Sequence, residues 1–173
     1  MASSVVASIE VEGEEESEAP SSSEESPRQA QYRRWWQPVL DAKLDDPDQT
    51  PPTLFWPNNV RLRLPWPQTW ILAYATDGGR RNLAVCTAGR AEAYQGLIDA
   101  LEPEREEILA QLPTGSTYHE FDGGNGYTFR CTVPGTQFAD DDARRLWLAT
   151  TINAFVNVLR PRIKRLMEDR RGH

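Results

Sequence analysis

Apolar residues crowd most densely between Trp70 and Thr87 (WILAYATDGGRRNLAVCT), and their alternation is the strongest structural signal in the chain. Ile71, Ala73 and Ala75 alternate with Leu72, Tyr74 and Thr76. Leu83, Val85 and Thr87 alternate with Ala84, Cys86 and Ala88, so neither face of either run is strongly polar. Such runs predict strands covered on both sides rather than solvated on one. Asp77, Gly78 and Gly79 accept the positive φ that a tight reversal needs, and so predict a hairpin. A lone hairpin is unstable in water, so further strands or helices must pack on it.

The rest of the chain supplies them. Ser26 is placed to cap a helix whose first residue is Pro27, with Tyr32, Trp35, Trp36, Val39 and Leu40 at helical spacing and Pro38 as a complication. After the break DDPDQTPP, a short strand is predicted over Val60–Leu64 amid Trp56, Trp66 and Trp70, whose ordinary role at such density is in a core or lid. Gly89 to Leu112 reads helical, with a kink or a second start at Pro103. Thr117–Phe121 and Tyr127–Val133 flank the turn signal Asp122-Gly123-Gly124-Asn125-Gly126 and predict a second strand pair. The last element is a long helix from about Asp141 to Glu168, capped by Asp140. Leu148, Ile152, Phe155, Leu159, Ile163 and Leu166 form one buried stripe, interrupted by Pro161. The order implies an α+β fold: an antiparallel sheet of four to five strands packed with three to four helices.

Charge divides the chain in two. Eight of its 26 acidic groups lie in residues 1–27, which carry no basic one, leaving 18 acidic groups against 19 basic in residues 28–173. The tail is Glu, Ser, Ala and Pro with few large side chains. It is expected to be a disordered acidic tail or linker, ahead of a single α+β domain over 28–173. Neither a signal peptide nor an apolar run long enough to span a membrane is visible, and cytoplasm is the default expectation.

Chemistry is mostly missing. No phosphate-cradling glycine loop followed by lysine occurs, and no Gly-x-Ser-x-Gly elbow. Cys86 and Cys131 fall in strands and read as buried small hydrophobes; two cysteines do not make a zinc site. His119, Glu120 and Asp122 beside a turn could hold a metal or serve a divergent hydrolase, though such a trio on a hairpin is ordinarily just solvated. Asp41-Ala42-Lys43 is an acid-x-Lys triplet on a helix, without the partner strand a metal-dependent nuclease needs. No catalytic residue, metal ligand or cofactor is therefore assigned. Two basic features remain. Arg160, Arg162, Lys164 and Arg165, with Arg170 and Arg171, could neutralise phosphates, or simply suit a helix C-terminus. Arg61, Arg63 and Trp66 could form a strip that stacks bases, with both arginines facing solvent.

From Gln31 to Leu166, the stretches YRRWWQPVL, PWPQTWILAYATDGGRRNLAV, YQGLIDALEPEREEILAQL and FVNVLRPRIKRL resemble a bacterial and archaeal domain of unknown function. That domain commonly sits C-terminal to a PD-(D/E)XK-type nuclease domain in restriction-like, defence-associated proteins. The resemblance implies a nuclease-associated accessory module without catalytic residues of its own, acting on DNA or on a nuclease partner protein. It carries over no site residue. Set against that family, residues 1–173 hold no stretch matching the nuclease domain, and the acidic tail falls where a linker to one is expected, as in a stand-alone member or the product of a shortened gene. The competing expectation is a protein-interaction or homo-oligomerisation domain, paired through its apolar helix face and with no nucleic-acid role.

Overall fold

The structure is a computed structural model and describes residues 24–55, 59–123 and 126–172. The predicted acidic tail up to residue 23, Trp56 and part of the second turn lie outside the described residues. The first helix, α1 (Pro27–Leu40), starts where the sequence places it. Ser26 Oγ accepts from Gln29 N at 3.1 Å while Gln29 Oε1 accepts from Ser26 N at 2.9 Å, a reciprocal cap that satisfies both orphan donors. Pro38 lies inside the helix without ending it, and Trp36 and Val39 are buried.

Six antiparallel strands follow: β1 (Thr53–Phe55), β2 (Asn59–Arg63), β3 (Thr69–Thr76), β4 (Asn82–Gly89), β5 (Thr117–Tyr118) and β6 (Gly126–Pro134). They form one sheet in the order β1-β2-β3-β4-β6-β5. This is the antiparallel sheet of about four to five strands that the sequence leads one to expect, with six strands among the described residues. β1 is only three residues long, too short for its alternation to be read between Pro52 and Trp56. β5 is shorter than the predicted Thr117–Phe121, although His119 N still donates to Thr128 O at 2.8 Å. Between β4 and β5 run α2 (Ala91–Leu101), a 3-10 turn (Glu102–Glu104) and α3 (Arg105–Gln111), so the chain does re-start a helix after Pro103. Asp140 caps α4 (Asp141–Arg171) by accepting from Ala143 N at 2.9 Å, and α4 continues through Pro161.

The four described α-helices pack on the same side of the sheet. One core cluster joins Trp36 and Val39 of α1, Tyr94, Leu97 and Leu101 of α2, Ile108 of α3 and the α4 stripe to Val60, Leu62, Ile71, Ala73, Leu83, Val85, Phe129 and Cys131. Leu166 alone in that stripe is only partly buried. The opposite face has its own small cluster of Leu72, Cys86 and Ala88 with Trp70, Tyr74 and Tyr127, and no helix residue belongs to it. The expectation that the central hairpin is covered on both sides is therefore corrected. On this second face, among the described residues, Leu72, Cys86 and Ala88 are shielded by the neighbouring side chains of Trp70, Tyr74 and Tyr127 and not by another layer.

A bulge between Cys86 and Ala88 interrupts the pairing of β4 with β6 and releases ladder donors. Two buried hydroxyls recover them. Tyr94 Oη accepts from Thr128 N at 2.9 Å, Thr87 Oγ1 accepts from Phe129 N at 3.2 Å, and the two oxygens lie 2.7 Å apart. Burial raises the Tyr94 pKa above 10.0, so the phenol stays protonated at neutral pH. Tyr94→Phe is expected to leave the Thr128 amide unpaired in a dry site, at about 1–3 kcal/mol. Urea unfolding of the two proteins reads the difference directly.

Candidate nucleic-acid interface

Strand parity decides what the helix-free face presents. Val60 and Leu62 point to the helices, so Asn59, Arg61 and Arg63 point away; by the same alternation Trp70, Leu72 and Tyr74 of β3 point away, as does Arg130 of β6. Register then aligns the side chains in rows. Arg63 opposes Trp70, Arg61 opposes Leu72, Leu72 opposes Cys86, and Cys86 opposes Arg130. The Arg61 guanidinium lies over two rings of this face, 4.3 Å from the Phe55 centroid and 4.8 Å from that of Trp70. Its Nε donates to Asn59 Oδ1 at 3.2 Å. These cation–π contacts hold the guanidinium against the sheet.

The electrostatics are one-sided. The described strands contain no aspartate or glutamate, and their only charged residues are Arg61, Arg63 and Arg130, all on this face. Among the described residues no carboxylate pairs with the guanidinium of Arg63 or Arg130. Burial raises the pKa of Tyr74 and of Tyr127, so both phenols are neutral, and it pushes the Cys86 thiol up to about 12. Cys86 is therefore a packing residue without nucleophilic character at neutral pH.

The basic end of α4 is arranged differently. Arg162 is buried and donates to Glu104 Oε1 at 3.0 Å, Glu107 Oε2 at 2.8 Å, Gln111 Oε1 at 3.1 Å and Val158 O at 2.8 Å. Arg160 pairs with Asp46 Oδ2 at 3.2 Å and Arg165 with Glu104 Oε2 at 2.6 Å. Arg170 lies over the Trp66 ring at 4.6 Å, and Trp66 itself is buried. Of the four α4 residues picked from sequence, Lys164 alone is exposed without an ion-pair partner among the described residues. What reads in the sequence as a basic strip is in the fold largely the seam that ties α4 to α3 and to the loop before β1. Trp66 likewise belongs to the core and not to the Arg61 and Arg63 strip, where Trp70 takes its place. The signal for Trp70, Tyr74 and Arg130 was their parity, and it became readable only once register placed them beside Arg61 and Arg63.

His119 and Glu120 separate as neighbours on an extended segment must. His119 lines a groove of about 330 Å³ on the helix-free face with Tyr74, Gly115, Thr117, Arg130 and Thr132. Glu120 lines another, of about 240 Å³, with Gln95, Asp99, Glu102, Tyr118 and Phe121. His119 Nε2 accepts from Arg130 Nη2 at 2.8 Å, so that ring nitrogen faces a cation. No group of three or more potential metal ligands occurs among the described residues, so the His119, Glu120 and Asp122 trio does not converge on a metal site. No described helix is long and apolar enough to cross a membrane. Comparison with protein-family models, with curated proteins and with solved structures finds no match to this chain.

Proposed function

We propose that this chain is a non-catalytic binding module that holds single-stranded nucleic acid on its helix-free sheet face. The accessory role beside a nuclease is the one implied by the sequence resemblance. The supporting observation is the composition of that face: three arginines on described strands that contain no aspartate or glutamate, and half-buried Phe55, Trp70, Tyr74 and Tyr127 with no described element over them. Rings on a flat, positively charged sheet stack on bases that are already unpaired, whereas duplex bases are hidden within their own stack. The apolar stripe of α4, which a helix-paired dimer would need, is spent inside the monomer core.

The test is fluorescence anisotropy with an oligothymidylate of about 12 nucleotides, within the usual span of one such surface, over a salt series. Arg61→Gln/Arg63→Gln is expected to weaken binding at least tenfold and to lower the salt slope by about 0.7 per arginine removed. Lys164→Gln/Arg165→Gln is expected to leave both unchanged. The reverse pattern would move the interface to α4. Absence of binding at low salt would overturn the nucleic-acid reading, and sedimentation would then ask whether a second copy covers the sheet face.

A further inference from the structure

The groove at the β5 edge of this face has a lining that asks for a particular chemical group. Tyr74, Thr117 and Thr132 contribute hydroxyls, Arg130 a guanidinium and His119 an imidazole, and no carboxylate lines it. The register brings them together: Thr117 opposes Arg130 across β5 and β6, while Cys86 opposes Arg130 and Ala84 opposes Thr132 on the other side. Arg130 Nη2 lies 2.8 Å from His119 Nε2, and Thr117 Oγ1 lies 2.9 Å from the same nitrogen. A guanidinium can only donate, so Nε2 accepts and the ring is neutral with its proton on Nδ1. Arg130 therefore has a neutral acceptor where an arginine in a groove ordinarily meets an anion. Its charge is held in place and uncompensated among the described residues.

We infer that this groove is a subsite for a phosphate monoester, the terminal phosphate of a single strand lying on the sheet. The inference rests on the nucleic-acid reading above and adds the end at which the strand is gripped. A terminal phosphate carries a charge of about −1.5 to −2 and three strong acceptor oxygens, which match a lining of donors. At about 330 Å³ the space is at the lower limit of small-molecule sites and suits a phosphate with part of its sugar, not a whole nucleotide. β5, only two residues long, is the last strand of the sheet, so a chain tracking the face runs out of platform at the groove.

His119 reports occupancy. Partial burial and then the Arg130 cation hold its pKa below the ordinary 6.5. The groups facing it are Arg130 from β6, Thr117 from β5 and, across the groove, the neutral Tyr74 from β3; Glu120 lines the other groove. When a dianionic phosphate draws the guanidinium to itself, Nε2 is released to take a proton and become a second charged donor. The pKa of His119 then climbs on binding, and by linkage a proton is taken up.

The experiment compares oligothymidylates of one length bearing a 5′-phosphate, a 3′-phosphate or neither, with the full chain, its Arg130→Gln variant and the Arg61→Gln/Arg63→Gln variant. Inorganic phosphate is titrated separately while the His119 ring protons are followed by NMR. One phosphorylated end is expected to bind about tenfold tighter than the hydroxyl ends, the worth of one charge-assisted hydrogen bond, and Arg130→Gln is expected to abolish that preference. The His119 titration is expected to move upward with phosphate in the full chain and to stay put in Arg130→Gln. Equal affinity for all three ends overturns the phosphate subsite while leaving the face reading intact. A phosphate preference that survives while Arg61→Gln/Arg63→Gln costs nothing supports the subsite and overturns the face reading.

Discussion

Gly135→Ala is expected to destabilise this protein by more than about 3 kcal/mol, beyond the ordinary cost of overfilling a core. A Cβ built on Gly135 would overlap the carbonyl oxygen of Gly79 and lie 2.8 Å from its carbonyl carbon, with the Arg80 carbonyl carbon at 2.9 Å. Every one of those atoms is backbone, so no rotamer change relieves the overlap. Three elements converge there. Gly79 belongs to the turn between β3 and β4, and Trp35 of α1 would meet a Cβ on Gly79 at 3.0 Å. Gly135 opens the connection from β6 to α4, its N–H donates to Arg81 O at 3.0 Å, and its carbonyl accepts from Arg144 Nε of α4 at 3.1 Å. The substitution must therefore push the hairpin end away from the start of α4, or break both hydrogen bonds. Gly78→Ala is the control. Its φ of +63° is unfavourable for alanine, yet nothing lies within 4 Å, so only the backbone term of about 1–2 kcal/mol is expected. Urea unfolding of both variants separates contact from conformation. A midpoint unchanged in Gly135→Ala would mean that the hairpin turn and the connection before α4 do not touch in solution.

Gly135 also shows where reading the chain stops. The helix starts were legible because capping is local: Ser26 with Pro27 and Gln29, and Asp140 with Ala143, lie within three or four residues of one another. The central hairpin and the α4 stripe were legible because each element's periodicity is contained in a short run. Contacts between Gly135 and Gly79, or between Arg61 and Trp70, join residues far apart in sequence, and only register makes them visible. The one-sided covering of the sheet is hidden from the sequence for the same reason. Leu72, Cys86 and Ala88 look like the second buried face of a sandwich, but they are shielded by Trp70, Tyr74 and Tyr127 from the same face. A cluster of basic letters is equally ambiguous. Arg160, Arg162 and Arg165 form a run in sequence, and their carboxylate partners Asp46, Glu104 and Glu107 stand elsewhere in the chain.

That ambiguity is resolved by Arg162→Met, which is expected to cost about 2–3 kcal/mol of stability and nothing in nucleic-acid affinity. Methionine keeps most of the apolar stem and removes four donor contacts. Glu104 is only 26% exposed and would lose its Arg162 partner, keeping the exposed Arg165 contact at 2.6 Å. Glu107 is 63% exposed and water takes over its share, so its 2.8 Å contact adds little. The Gln111 and Val158 carbonyls lose a donor within the seam between α3 and α4. The total therefore falls below the 3–5 kcal/mol typical of breaking a fully buried pair. Arg165→Met, at a side chain 53% exposed, is expected to cost less than about 1 kcal/mol. Unfolding midpoints and oligonucleotide affinities measured on the same preparations give the decisive comparison. A stable Arg162→Met that binds nucleic acid poorly would return the interface to α4. A destabilised variant that binds normally leaves Arg162 as the clasp between α3 and α4 and the sheet face as the surface that meets the strand.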